Sequence, residues 1–296
     1  MAVPLFASPT DTARFEERVA TRALGKRIHF HIATQSTNDL ALASARSGGA
    51  HGSVFIADAQ SAGRGRRGRN WDCPPGLGLL FSVLLRPSAI PLEAAGWIPL
   101  VAGLACAEAL ASISKSLQSV NVKWPNDIVL PQADSPGWKK LGGILCESAL
   151  PALSQPASAA DADRGYAIVG IGINLNQTHA ALPHTDKAAP TSVIIETGKS
   201  VDRIEVLKSI LERLETHLDA LGDPAIRSSI QSRIEARMRA WLPSAKRITF
   251  RTPPLDATNS IEHSGFFAGL DPFGRIRIVS TDTETAYADI EIIRAE

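Results

Sequence analysis

Cysteine is scarce in this chain, and its scarcity removes several kinds of chemistry. Cys73, Cys106 and Cys146 are an odd number with no close pair. That argues against a disulfide framework and against a cysteine-held zinc centre. Reduced thiols in a cytoplasmic protein are the expectation. The seven histidines show no paired spacing of the kind a helical zinc site uses. Charge of one sign is also lacking: 31 basic residues stand against 30 acidic, for a formal net charge of +1. A dedicated nucleic-acid binder carries a larger basic excess, so any basic cluster here must be local. No secretory signal is expected, because the short apolar stretch after Met1 is broken by Pro4 and Pro9. No apolar run suggests a membrane span, so a soluble chain is expected.

What is present is an ordinary globular composition, 44% hydrophobic and 21% charged over 296 residues. That length accommodates one large domain, or a medium domain and a small one. Asp11 to Leu24 reads as a short amphipathic helix, with Phe15, Val19 and Ala23 spaced at i+4. Arg27 to Ile32 alternates like a strand. Ser36 is placed to cap a following helix, with Asp39 in the capping-box position. Strands are expected at 53–59 and 77–86, with a loop from Gln60 to Pro75 between them. A long alanine-rich helix spans 93–117. Strands follow at 120–124, 127–130, 141–148 and 166–175, interrupted by a polar loop at 132–138 and a low-complexity stretch at 151–164. Two helices, 203–221 and 225–241, precede a change of character after Pro243. Short β-like stretches at 247–251, 266–270, 276–280 and 288–293 then alternate with turn signals. The succession predicts an α+β fold with a mixed sheet and a small all-β domain at the end.

Four segments carry chemistry. Gly63-Arg64-Gly65-Arg66-Arg67-Gly68-Arg69 packs four arginines and three glycines into seven positions, just ahead of Trp71. Glycine lets main-chain N–H groups approach an anion, and arginine adds forked donors matched to phosphate or carboxylate. The alternatives are a solvated basic loop or an RNA-binding segment. Its position between two strands favours a loop over an active site. Lys123-Trp124-Pro125-Asn126-Asp127 gathers an ammonium, an amide and a carboxylate around a proline-stiffened turn, or is an ordinary hairpin corner with a buried Trp. Lys140-Leu141-Gly142-Gly143 puts a glycine pair in a strand, which suggests a bulge or a close ligand, with Lys140 at the strand entrance; a surface lysine before an edge strand is the alternative. Gly170-Ile171-Gly172-Ile173-Asn174 alternates small and branched residues, so one face could admit a flat ligand. A lone Gly-x-Gly is weak evidence by itself.

Together and in this order, these segments resemble the catalytic domain of biotin protein ligases. Ser36-Thr37-Asn38 and Gln60 match further positions, and the final β-rich part resembles that family's SH3-like domain. The resemblance implies a mixed-sheet domain of the class II synthetase type at 27–242, an SH3-like barrel at 243–296 and an N-terminal extension at 1–26. It implies that biotin and ATP form biotinyl-5'-AMP, and that a lysine of a carrier protein then takes the biotin. The carrier expected is the biotin carrier of acetyl-CoA carboxylase or a related carboxylase subunit. By the same resemblance, Ser36, Thr37, Asn38 and Gln60 hold the polar end of biotin. Gly63, Arg64, Gly65 and Arg66 contact the carboxylate or phosphate, and Arg67 and Arg69 support the loop. Trp71 orders the nucleotide end. Lys140 neutralises charge at the junction of carboxylate and phosphate, Lys123 assists, and Asp127 orients or deprotonates the incoming lysine. Asn126, Gly142, Gly143, Gly170, Gly172, Ile173 and Asn174 complete the pocket. Mg2+ is expected with the triphosphate, its ligands unassigned. Either Lys139 or Lys140 could fill the catalytic place, and Lys140 adjoins the glycine pair. The stretch before the first strand is short for a helix-turn-helix, so sequence-specific DNA binding is not expected. A homodimer remains open, and a lipoate–protein ligase is the rival with the same adenylate chemistry.

Overall fold

The computed structural model describes residues 4–86, 92–132, 137–149, 165–183, 189–240, 242, 247–252, 261–280 and 283–295. The 151–164 stretch lies outside them. A seven-stranded mixed sheet runs in the order β1-β2-β3-β7-β6-β5-β4. Its strands are β1 (Ile28–Thr34), β2 (Val54–Gln60), β3 (Leu79–Leu85), β4 (Asn121–Lys123), β5 (Asp127–Pro131), β6 (Trp138–Ala149) and β7 (Tyr166–Ile173). Only β1 and β2 pair in parallel; the other neighbours are antiparallel. A second sheet at the C-terminal end has the order β11-β10-β9-β8-β12. It comprises β8 (Arg247–Arg251), β9 (Glu262–Leu270), β10 (Ile276–Ser280), β11 (Thr283–Tyr287) and β12 (Glu291–Ala295). The β-like stretch expected at 288–293 is therefore a turn between two strands and the first part of β12.

Strand alternation divides the large sheet into two faces. On β7, Ala167, Val169, Ile171 and Ile173 point into the main core, while Ile168 joins a smaller cluster with Ala41, Ala45, Phe55 and Leu84. Helix α3 (Ile98–Ala111) covers the first face. It is apolar nearly all round, so it is buried on nearly all sides rather than along a stripe. With the 3-10 turn before it, the run from Glu93 to Ala111 is long and apolar enough to cross a bilayer, but most of it is packed inside the protein. The helix expected over 93–117 is broken accordingly: 3-10 turns occupy Leu92–Trp97 and Lys115–Leu117. Helix α2 (Thr37–Arg46) covers part of the second face and leaves the rest open.

The N-terminal segment belongs to the main core. Helix α1 (Pro9–Arg18) is shorter than its apolar spacing suggested, yet Leu5, Phe6, Phe15 and Val19 are buried. Asp58 and Arg203 form a buried ion pair at 2.7 Å, and Asp58 also accepts the Leu5 N–H. A buried ion pair needs such added hydrogen bonds to offset desolvation. Helices α4 (Val193–Thr197), α5 (Arg203–Ala220) and α6 (Pro224–Arg239) complete the layer. The second sheet is fastened to the first body by side chains. Trp97 Nε1 donates to Pro272 O at 2.8 Å and Trp124 Nε1 to Gly274 O at 3.3 Å. Glu235 on α6 accepts the Leu270 N–H at 2.8 Å.

Glu215 on α5 gathers the backbone N–H groups of Arg22, Ala23 and Leu24. Burial pushes its carboxyl up, but these three donors and the Arg22 guanidinium outweigh burial and hold it below the usual glutamate range. A depressed folded value stabilises the fold above the ordinary glutamate pKa, and that stability is lost as pH falls through the folded value. Glu215→Ala is expected to cost about 2–3 kcal/mol at neutral pH. It should also flatten the acid limb of stability against pH, measured by denaturant melts, with amide exchange of residues 22–24 as the local reading.

Candidate active site

The open part of the second face is a cleft lined by the start of α2, residues 64–71, β6 and β7. Its floor is β7. A Cβ on Gly170 would lie 2.0 Å from Asn38 Oδ1, and a Cβ on Gly172 would lie 2.6 Å from the Trp71 indole. Both neighbours come so close only because these positions lack side chains. The alternation of glycine and isoleucine thus makes a shallow trough on one face and core on the other. Ile173 belongs to the core face and is fully buried, so it does not line the cleft as expected.

One end of the cleft is neutral and polar. Thr37 donates its backbone N–H and its hydroxyl to Gln60 Oε1, at 2.7 and 3.1 Å. The Ser82 hydroxyl lies 2.8 Å from Thr37 Oγ1 and 2.6 Å from Asn38 Oδ1. Asn38 Nδ2 donates to Glu147 Oε2 at 2.6 Å. Ser36 occupies the N-cap position of α2, but its side chain makes no capping bond. The capping box is not formed: Asp39, its expected acid, pairs with Arg64 instead.

Residues 63–71, expected as a loop, fold back as a small hairpin flap. Trp71 N–H donates to Gly63 O at 2.8 Å, Gly65 N–H donates to Arg69 O at 2.7 Å, and Arg64 bridges Asn70. Gly63 sits at the base of the flap: a Cβ there would meet Trp71 O at 2.3 Å. It shapes the flap without lining the cleft. Arg64, Gly65, Arg66, Arg67 and Arg69 do line it. Arg64 Nη2 donates to Asp39 at 2.7 Å and Glu147 at 3.1 Å. Arg66 reaches Asn126 Oδ1 at 3.3 Å, and Asn126 is fixed in turn by its donation to Ile144 O at 2.8 Å. Trp71 Nε1 is buried and has no hydrogen-bond partner among the described residues, which leaves a donor for a bound molecule.

The choice between Lys139 and Lys140 falls to strand geometry. The β5–β6 pairing shifts register, with Ile128 opposite Gly142 and Val129 opposite Lys140, so Leu141 is an extra, bulged residue. Leu141 turns into the core, and Lys140 and Gly143 then share the cleft face. A Cβ on Gly143 would lie 3.6 Å from Lys140 Nζ. Lys139 points away and is held by Glu196 at 2.5 and 2.7 Å. Lys140 Nζ lies over the Trp71 ring and donates to Asp127 Oδ1 at 2.6 Å. Lys123, 3.9 Å from Asp127 Oδ2, sits over the Trp138 ring outside the cleft lining. Gly142 and Asn174 are also outside it. A Cβ on Gly142 would meet Gly172 O at 2.7 Å, so that glycine permits close strand pairing. Asn174 donates to Thr191 O at 3.0 Å and accepts from Gln177.

A family model for the biotin/lipoate A/B protein ligases matches residues 31–158. The biotin–[acetyl-CoA-carboxylase] ligase of Paracoccus denitrificans is 35% identical over 248 residues, covering 82% of this chain and 90% of the relative. The chain belongs to the biotin/lipoate A/B protein ligase family. The Mycobacterium tuberculosis enzyme of the same name is 30% identical and covers 83% of this chain and 84% of its own. The bifunctional ligase/repressor BirA of Bacillus subtilis is 33% identical over 64% of this chain, and the chain spans about half, 53%, of that relative's length. Among solved structures, biotin protein ligase from Aquifex aeolicus in complex with biotin and ATP superimposes with a TM-score of 0.70 at 28% identity, over 91% of this chain and 99% of that one. The mixed sheet and the small antiparallel sheet after it are the architecture that resemblance implied.

Within this family member, Glu147 and Ser82 were not marked by any motif. Ser82 had a signal: it is the polar residue in the apolar run Leu79–Leu85. Glu147 had none, because it meets Asn38 and Arg64 only across the sheet. Gly172→Ala is expected to expel the Trp71 indole from its seat and destabilise the fold by about 1–3 kcal/mol. Tryptophan emission compared against a Trp71→Phe background, together with denaturant melts, checks both.

Proposed function

We propose that this protein is an ATP-dependent biotin–protein ligase that makes biotinyl-5'-AMP and passes biotin to a lysine of a carboxylase carrier protein. The observation that carries the reading is the cleft: a neutral polar end at Thr37, Asn38 and Gln60, a glycine trough, and a cationic end formed by Lys140 and the flap arginines. The names of the Paracoccus and Mycobacterium relatives and the ligands of the Aquifex structure support it. The name of those relatives also supports acetyl-CoA carboxylase as the source of the acceptor.

In the proposed first step a biotin carboxylate oxygen attacks the α-phosphorus of ATP, and pyrophosphate leaves with the bonding electron pair. Two anions must approach, so fixed positive charge is needed where negative charge grows. Lys140 supplies it by exchanging Asp127 for the ligand. In the second step the carrier lysine amine attacks the carbonyl carbon and AMP leaves. Asp127, then relieved of Lys140, is placed to orient the incoming amine and accept its proton. The flap arginines hold the adenylate and keep water from it. Among the described residues no group of three His, Cys, Asp or Glu side chains is placed to hold a metal ion. The magnesium expected with the triphosphate is therefore assigned no protein ligand, and no step is derived through it.

Exchange of labelled pyrophosphate into ATP should depend on biotin and not respond to lipoate; exchange without biotin, or with lipoate alone, refutes the reading. Lys140→Ala is expected to slow single-turnover adenylate formation about 100-fold or more, corresponding to about 3 kcal/mol. Lys139→Ala, whose partner is Glu196, should leave that rate within about two-fold of the wild type.

A further inference from the structure

Asp289 belongs to the C-terminal sheet, in the turn between β11 and β12, yet its partners are in the flap. Its Oδ1 accepts from Arg66 Nη2 at 2.5 Å and from Arg67 Nη2 at 2.7 Å. One carboxylate thus binds two of the cations that line the cleft. Arg67 has φ of 58°, the one non-glycine residue at positive φ among the described residues. An L side chain resists that conformation, so it persists where surrounding contacts enforce it. The Asp289 contact is such a restraint. It cannot slide away with the flap, because the second sheet is fixed by Trp97 to Pro272 O, by Trp124 to Gly274 O and by Glu235 to the Leu270 N–H.

We propose that Asp289 is a positioning residue, a carboxylate latch that holds the flap in the ligand-free enzyme by standing in for the ligand's own anion. Arg66 has one guanidinium nitrogen on Asn126 and one on Asp289. A phosphate or carboxylate that engages this guanidinium as a fork through Nη2 competes with the aspartate for it. The two states are then alternatives: the flap is held by the C-terminal domain before binding and by the anionic ligand afterwards. The second domain so shares in setting how ordered the flap is before substrate arrives, alongside Asp39 and Glu147, which hold Arg64. That the displacing anion is biotin plus ATP rests on the function proposed above; the latch in the empty enzyme does not.

The flap contains trypsin sites at Arg64, Arg66, Arg67 and Arg69, so limited proteolysis of the full chain, with nicks located by mass spectrometry, reports its order. In Asp289→Asn without ligand, flap cleavage should accelerate at least five-fold over wild type, and Asp289→Glu should recover most of the protection. With biotin and ATP saturating, the Asn variant and wild type should be cleaved at the same rate. Equal ligand-free rates would overturn the latch. Loss of protection in both states would overturn it too, since the aspartate would then serve the docked domain or the closed flap rather than the empty enzyme. If wild type shows no biotin-dependent pyrophosphate exchange, the functional reading fails, and the ligand-free comparison still decides the latch.

Discussion

The site depends on cations held by internal carboxylates at its rim. Arg64 rests on Asp39 and Glu147, Arg66 and Arg67 on Asp289, and Lys140 on Asp127. These pairs are partly exposed, so each contributes little net stability and can be exchanged at small cost. Weakness here is useful: an unpaired cluster of arginines and a lysine would repel itself, while deeply buried pairs would resist an incoming anion. A cleft wired in this way suits the proposed chemistry, in which two anionic reactants must be brought together and their product retained.

The framework around these pairs is apolar and rigid. β7 is buried against α3 on one face, and on the other it presents Gly170 and Gly172 to the cleft beyond Ile168, which packs under α2. The bulge at Leu141 turns Lys140 and Gly143 onto that same face. Asn126, Trp124 and Asp127 share one turn and do three separate jobs. Asn126 ties the flap to β6, Trp124 ties the second sheet to the first, and Asp127 holds Lys140. Two bodies with separate sheets therefore meet at the cleft, through a flap that touches both.

Much of this was legible in the chain before folding. The order of strands, the glycine–isoleucine alternation and the glycine pair beside Lys140 follow from local rules of periodicity and backbone freedom, and each reads correctly as geometry. The errors came where a local rule met a tertiary competitor. Ser36 and Asp39 had the sequence of a capping box, but Asp39 pairs with Arg64, 25 residues further on. Lys123 and Asn174 stood inside motifs, yet their side chains serve the framework. The long helix, by contrast, broke for a local reason: Pro99, in the first turn of α3, has no N–H to continue a helix from the residues before it.

The amino-acid sequence by itself determined the periodicities, the anion-seeking residue set and the small face of β7, because these depend on side-chain chemistry and on spacings of a few residues. Only the tertiary structure decided which lysine enters the cleft, which carboxylate neutralises which cation, and that the C-terminal sheet reaches the flap. Those outcomes turn on a one-residue bulge and on contacts such as Arg66 to Asp289, 223 residues apart, and no local pattern encodes a pairing made across that distance.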